Sequence, residues 1–551
     1  MLLGQSTVKQ RKDLPRRQRA LVFQGGVALG AYEAGVFRKL YDWVNQYIED
    51  DENVFDIVVG ASIGAINGAI LVSHVASNRS KGPKKSWEYA PDKLKQFWRQ
   101  NSTISMVEYL MPGFSMWWQG WHETVRLYKK WLDNVLKQQY VMSSASSSSS
   151  PFLSLFSNPY AKQWYEWIHY LMNFIDTPAT GESARRYFSS IQFINEFIFP
   201  FSGAPNVFKS LPRPDGRFIF NYRNYIPRID NENFPFYSLK DSLNKIYFKD
   251  GTKFVDFPIR TSFDENLPRY LLVTVDVENG ETIAFDSYPK ADGSRKTEYE
   301  YDEQLKKFRH AIIYDSGIKW DHLRTSAATP QTFKYPTLED AKSAESPREE
   351  RTFWDGSLIS NTPMRELIHM HRKFWSDHIK LVRKNDVWNG EQGEKIPELD
   401  IYIVNLWPTK LKDKPVPYDN DFISDRLFDL IFHDKTGYEE KVTKMTTDYI
   451  DIISRLLPLA RKTDSKKVDD ILDNNQAASK THLNEKRTYR EMLEGQFEIK
   501  QIVRIERSDD VDSISIDMTD YSSGTTDNLI RQGESDAERT ISELKSQGFV
   551  P

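Results

Sequence analysis

Phe55-Asp56-Ile57-Val58-Val59-Gly60-Ala61-Ser62-Ile63-Gly64-Ala65-Ile66-Asn67-Gly68-Ala69-Ile70-Leu71-Val72-Ser73-His74-Val75 is the stretch around which the chain is organised. The short apolar run to Val59 predicts a buried strand, and the small and apolar residues from Ala65 predict a helix. Between them, Gly60-Ala61-Ser62-Ile63-Gly64 has the G-x-S-x-G spacing of a nucleophile elbow. Such a turn is strained, so the residues flanking the serine must be small or lack a Cβ. The hydroxyl then stands clear of the sheet, near a helix N-terminus that favours negative charge. Gly64 and Gly68, about one helical turn apart, let the helix lie close against the sheet. The five-residue pattern alone occurs by chance; the strand before it and the helix after it point to chemistry.

A similar unit precedes it. Arg19-Ala20-Leu21-Val22-Phe23 predicts a buried strand, Gln24 to Gly30 a glycine loop, and Ala31 to Tyr47 a helix with Tyr32, Val36, Leu40 and Val44 on one face. A strand, a glycine loop and a helix make an anion cradle, because loop and helix-start amides point into one space. The loop alone leaves open whether that anion is a phosphate or the oxyanion of an acyl transfer. For a nucleotide the motif is poor: the glycines are not spaced G-x-G-x-x-G, and no G-K-[ST] is present after them. The serine one unit later favours the oxyanion, since consecutive β-loop-α units present their loops at one sheet edge.

Composition narrows the classes. The 551 residues carry a net charge of −4, so no global field favours nucleic acid as a partner. The chain holds no cysteine, which excludes disulfides, thiolate metal sites and cysteine nucleophiles. Residues 1–18 read as a flexible basic tail without a signal-type apolar core, and Ile63 to Ala76 is too short and too glycine-rich to span a bilayer. The expectation is a cytoplasmic protein, with peripheral contact to a membrane as an option. None of the ten histidines has the place in chain order that a hydrolase triad requires, and no H-E-x-x-H occurs. The expectation is therefore a site without metal or cofactor.

With these motifs in order, the chain resembles the patatin-like phospholipase family. Gly25-Gly26-Val27-Ala28-Leu29-Gly30 followed by Ala31-Tyr32-Glu33-Ala34-Gly35 is similar to that family's oxyanion loop, and Gly60 to Gly64 to its serine elbow. The third family element is an Asp-Gly pair. Of the pairs at Asp215, Asp250, Asp292 and Asp355, only Asp355-Gly356-Ser357-Leu358-Ile359-Ser360-Asn361-Thr362-Pro363 continues into Asn-x-Pro. Thr325-Ser326-Ala327-Ala328-Thr329-Pro330 is similar to the small-residue segment that precedes it. The resemblance covers residues 19–77 and 265–410. It implies an α/β protein of three layers with a mostly parallel central sheet. It implies a Ser62–Asp355 dyad, oxyanion donors at Gly25, Gly26 and Val27, and structural glycines at Gly30, Gly60, Gly64 and Gly356. It further implies a lipid or acyl-ester substrate. Two positions depart from the pattern: Val27 replaces the third glycine, and Leu29 replaces a basic residue. Valine is a strained choice if that position needs a positive φ.

The remainder is read more coarsely. Residues 19–410 form the expected hydrolase domain, interrupted by an aromatic-rich, helical insertion at about 78–264 with a serine-rich loop at 143–150. Trp117, Trp118, Trp121, Trp131, Trp164 and Trp167 either line a lid over Ser62 or pack the insertion's own core. Arg269 to Val277 predicts a buried strand that turns back at Thr282 to Phe285, and Leu399 to Leu406 a further strand. Residues 411–551 are expected as a mostly helical extension packed on the core. Within it, 424–462 reads as a helix covering the sheet, with a membrane-docking helix as the alternative. Ala477 to Glu491 reads as a charged helix, Ile502 to Ile505 as a short strand and Thr526 to Lys545 as a closing helix. The functional alternative to an acyl hydrolase is a non-catalytic protein that binds nucleotide, phosphate or lipid at the Gly25–Gly30 cradle.

Overall fold

The computed structural model describes residues 14–102, 251–278, 280–295, short segments between 301 and 339, 350–385, 395–410 apart from 408, 426, 429–480, 486–508, 521 and 523–551. The tryptophans from 117 to 167, the serine run and the acidic stretch 509–520 lie outside the described residues.

Nine strands make the central sheet: Arg17–Phe23 (β1), Ile57–Ala61 (β2), Arg269–Asp276 (β3), Glu281–Asp286 (β4), Ala311–Ile313 (β5), Thr337–Glu339 (β6), Glu350–Asp355 (β7), Glu398–Asn405 (β8) and Ile499–Glu506 (β9). Their order is β9-β8-β1-β2-β3-β4-β5, with β7 joining β3 and β6 joining β7. The pairings from β9 through β3 are all parallel. Strand β4 reverses against β3, and β7 runs antiparallel to it. Central parallel strands are covered on both faces, which is why β2 and the middle of β3 (Tyr270 to Val273) are apolar and both strands are buried along their whole length.

Side chains alternate across the sheet and so feed two separate cores. Leu21, Phe23, Val58 and Tyr270 face one core, shared with α1 (Gly30–Val44), α2 (Ile63–Ser77) and α3 (Ala90–Gln100). Ala20, Val22, Val59 and Leu271 face the other, closed by Met364, Leu367 and Trp375. The chain thus has the α/β architecture of helices on both faces of a mostly parallel sheet. Helix α3 lies inside the expected insertion yet buries Leu94, Phe97 and Trp98 in the first core. Phe254, Val255 and Ile259 do the same at the insertion's other end.

Three expectations meet a different structure. The boundary at 410 does not separate the sheet from the C-terminal residues, because β9 pairs with β8 in parallel register. The helices are completed by α4 (Trp320–Ser326), α5 (Met364–Asn385), α6 (Gly437–Asn474), α7 (Tyr489–Glu494) and α8 (Ser523–Ser546). Helix α8 lies backbone-to-backbone on α1: a Cβ at Gly35 would meet the Ile530 carbonyl oxygen at 2.0 Å, and one at Gly533 that of Tyr32 at 2.2 Å. The charged helix expected over Ala477 to Glu491 is instead a strand pair, Gln476–Lys480 against Lys486–Thr488, followed by the short α7. Thr488 and Glu491 form a capping box, which starts a helix at Tyr489 and stops one from running through it. Nor does α6 cover the sheet: Leu472 is its one buried residue, and Tyr449, Ile452 and Leu456 are exposed. Val503 and Ile505 of β9 already share a core with Leu529, Ile530 and Ala537 of α8, so that sheet face is occupied.

Candidate active site

Ser62 caps α2 directly after β2, in the tight turn that the glycine spacing requires. Its backbone is at φ 54°, ψ −123°, a strained conformation for a residue with a Cβ. The turn closes so tightly that a Cβ at Gly60 would lie 2.4 Å from the backbone of Gly64. A Cβ at Gly64 would in turn lie 2.6 Å from the Gln24 carbonyl oxygen, so the elbow rests against the glycine loop.

Asp355 reaches Ser62 through sheet register. On β3, Val273 pairs with Ala61 of β2, and the next residue, Thr274, pairs with Asp355 of β7. The strand therefore delivers residues 61 and 355 to adjacent positions along one edge. Gly356 is required here, since a Cβ would come within 2.1 Å of the Val273 carbonyl oxygen. A buried ion pair between Arg351 of β7 and Asp276 of β3 holds the two strands together. The Ser62 hydroxyl donates to Asp355 Oδ2 at 2.6 Å. Both residues are nearly closed off from solvent, at 5% and 2% exposure. Asp355 Oδ1 accepts from the Ser357 amide at 2.9 Å and the Ser357 hydroxyl at 2.7 Å, so the other oxygen is turned toward Ser62.

The elbow has its own brace. The Ser62 amide donates to Ser326 Oγ at 3.0 Å, and Ser326 Oγ donates to the Val273 carbonyl at 2.6 Å. Ser326 belongs to the small-residue segment that precedes the aspartate block, but sequence reasoning gives it no task. Two serines 264 positions apart leave no local signal of a hydrogen bond.

The glycine loop is pinned at its start. Gln24 donates to Thr362 Oγ1 at 2.6 Å and accepts from the Leu406 and Trp407 amides at 2.7 and 3.1 Å. The Gly25 amide donates to Asn361 Oδ1 at 2.8 Å. Of the three amides expected to face an oxyanion, that of Gly25 is therefore engaged by a side chain. Those of Gly26 and Val27 have no acceptor among the described residues. Val27 has φ 53°, the left-handed conformation that a β-branched residue rarely adopts. Leu29, in the place of a basic residue, is buried in the core.

Behind the loop, Asn67 donates to the Gly30 carbonyl at 3.0 Å and to Glu33 Oε2 at 2.8 Å, and accepts from Trp98 Nε1 at 3.1 Å. A Cβ at Gly30 would strike Ile63 at 2.5 Å, so the two β-loop-α units interlock here. Burial drives the Glu33 carboxyl well above the usual range, with the Asn67 hydrogen bond opposing it only in part. The buried histidines are structural. His322 stacks on Phe285 at 4.9 Å and His371 bonds the Pro397 carbonyl at 2.9 Å. Desolvation lowers each to about 3.

A serine at a strand-to-helix elbow, a buried carboxylate on its hydroxyl and a glycine loop beside both thus meet at one edge of the sheet of an α/β protein. The family model "Patatin-like phospholipase" matches residues 21–368, more than half of the chain, and the chain belongs to that family of lipid acyl hydrolases. Among curated proteins none matches it. Among solved structures, VipD from Legionella pneumophila is similar at 10% identity, with 96% of this chain and 67% of VipD covered and a TM-score of 0.26, too distant a likeness to bear on the site.

Proposed function

We propose that this chain is a serine hydrolase of lipid acyl esters in which Ser62 is the nucleophile and Asp355 the base. The observation that carries the reading is the 2.6 Å hydrogen bond from the Ser62 hydroxyl to Asp355 Oδ2, at a strained elbow beside the Gly26 and Val27 amides. Ser62 Oγ attacks the ester carbonyl as its proton passes to Asp355 Oδ2. The carbonyl oxygen becomes an oxyanion, and the Gly26 and Val27 N–H groups hold it, each donor contributing about 10²–10³-fold in comparable sites. Collapse of the tetrahedral species expels the alkoxide, which takes the proton from Asp355. Water then attacks the acyl-Ser62 carbonyl, Asp355 accepting its proton; the bond to Ser62 Oγ breaks, Oγ takes the proton back from Asp355, and the fatty acid leaves. A carboxylate is a weak base for an alcohol, so alignment must supply part of the activation. The two Ser357 bonds to Oδ1 and the Ser326 bond to the Ser62 amide serve that alignment.

The test is fluorophosphonate labelling together with turnover of a short-chain ester by Ser62→Ala and Asp355→Asn, each checked for folding. Ser62→Ala should lose both label and turnover, and Asp355→Asn should lose turnover by about 10³-fold or more. Full turnover in either folded variant overturns the assignment. Thermal stabilisation of Ser62→Ala by nucleotide would favour the phosphate-binding alternative instead.

A further inference from the structure

The peptide between Gly25 and Gly26 is held by a residue beyond 368, where the family match ends. Trp407 Nε1 donates to the Gly25 carbonyl at 3.0 Å, across 382 positions. The indole is itself fixed. Trp407 is buried, its amide donates to Gln24 Oε1 at 3.1 Å, and its ring packs on Phe432 at 5.4 Å. Phe432 in turn offers its carbonyl to Asn361 Nδ2 at 3.1 Å. The packing around Trp407 thus returns to the same Asn361 that takes the Gly25 amide.

A peptide unit is planar and trans, so its C=O and N–H leave from opposite edges. Three consecutive units of the glycine loop are each pinned on one edge. The unit joining Gln24 to Gly25 is held at its N–H by Asn361 Oδ1. The next is held at its C=O by Trp407, and the one after, joining Gly26 to Val27, at its C=O by the Leu29 amide at 3.0 Å. The opposite edges of these last two are the Gly26 and Val27 N–H groups, which have no acceptor among the described residues. For Val27 the anchor is local, the short turn Val27–Leu29 that follows. For Gly26 it is the distant indole. A peptide with glycine on both sides is the softest in the loop, since neither neighbour resists turning of the plane. An oxyanion hole works by having its donors set before the charge forms, so a donor free to turn is a poor one. The unit also lies beside the nucleophile: a Cβ at Gly25 would be 2.9 Å from that of Ser62.

We infer that Trp407 is a positioning residue for the reaction: its indole N–H fixes the plane between Gly25 and Gly26 and so aims the Gly26 N–H at the developing oxyanion. The inference rests on the acyl-hydrolase reading.

The test uses the full chain with two changes at this position. One is Trp407→Phe. The other replaces the Trp407 indole by benzothiophene through an incorporated unnatural side chain, which puts sulfur where the N–H stood and keeps the ring's shape. Each is compared with wild type on a soluble short-chain ester and on the matching thionoester, with folding checked by urea unfolding. One oxyanion donor contributes about 10²–10³-fold, and misaiming it should lower kcat on the ester about ten-fold or more in both variants. KM should stay within about two-fold, because the interaction is made in the transition state. The thionoester's sulfur is a poorer acceptor and gains less from the donors. Its kcat should fall less, so the preference for ester over thionoester should shrink. A hydrogen bond that only supports the core would slow both substrates alike. Equal slowing of the two, or an ester kcat within about two-fold of wild type in the benzothiophene variant, overturns the inference and leaves Ser62 as nucleophile. Wild-type protein that takes no fluorophosphonate on Ser62 and turns over neither substrate overturns the acyl-hydrolase reading, and this inference with it.

Discussion

Replacing Ser326 by alanine separates positioning of the nucleophile from mere packing. Ser326 is fully buried, and its hydroxyl is both acceptor for the Ser62 amide at 3.0 Å and donor to the Val273 carbonyl at 2.6 Å. Alanine fills nearly the same space, so the cavity term is small. The partner of a buried N–H is lost, which costs about 1–3 kcal/mol. The loss falls on a residue already held at φ 54°, ψ −123°, where strain of about 1–3 kcal/mol is tolerated only while the surroundings enforce it. If about 1.4 kcal/mol of that constraint is released as altered elbow geometry, kcat falls about ten-fold. Ser326 touches the elbow's backbone and the sheet rather than the substrate, so KM should hold. The assay is steady-state turnover of a soluble short-chain ester, alongside urea unfolding of the same preparations. Lower stability with kcat within two-fold of wild type would refute the positioning argument and leave Ser326 as a hydrogen bond of the core.

Two further outcomes concern a half-buried residue of the loop and a buried acid behind it. Val27→Gly relieves a β-branched residue at φ 53°, worth about 1–2 kcal/mol, against about 0.4–1 kcal/mol of added chain entropy in the unfolded state. Urea midpoints should therefore rise by the equivalent of about 0.5–1 kcal/mol, and a fall of that size would refute the strain. Glu33→Gln keeps an acceptor for Asn67 and removes a buried acid. The Glu33 carboxyl is raised in the folded chain, so its contribution to stability is complete below the ordinary glutamate range and is lost as pH rises toward the folded value. The unfolded chain releases that proton and the folded chain retains it. Glu33→Gln should thus gain stability over wild type progressively as pH rises above the ordinary glutamate range; a difference independent of pH would show that burial does not hold the acid neutral.

Which parts of the site a sequence reveals depends on whether the cause is local. The elbow is local: Gly60 and Gly64 must lack side chains because their own turn brings them together, and the requirement is written five residues wide. Asp355 is legible through the Asn-x-Pro that comes after it, and the structure gives that segment physical content. Asn361 takes the Gly25 amide and Thr362 takes the Gln24 side chain, which fastens the glycine loop to the Asp355 turn. The same bond explains a feature that cannot be read. Nothing in Gly25-Gly26-Val27 says that the first amide is engaged, because its acceptor lies 336 residues away. The miss at Ala477 to Glu491 has a local cause that the sequence does carry: Thr488-x-x-Glu491 is a helix start, and it argues against a helix running through it. Apolar spacing places helix α6, but that spacing does not say what a face meets. A core and a lipid interface ask for the same pattern.

The 293 positions between Ser62 and Asp355 are a smaller obstacle than they look. Closure entropy rises only with the logarithm of loop length, each doubling adding about 0.6 kcal/mol, so a long insert between the two is thermodynamically cheap. Geometric accuracy is the harder demand, and here it is met by one strand. β3 pairs with β2 as far as Ala61 and with β7 from Asp355 inward, so a single register fixes both residues. A slip of one residue in either pairing would turn every side chain of that strand to the other face. It would send Val58 and Val59 to each other's cores, and Arg351 away from Asp276. The burial of those residues therefore holds the two ends of the site in place, and the chain between them is free to vary in length without moving the hydroxyl from the carboxylate.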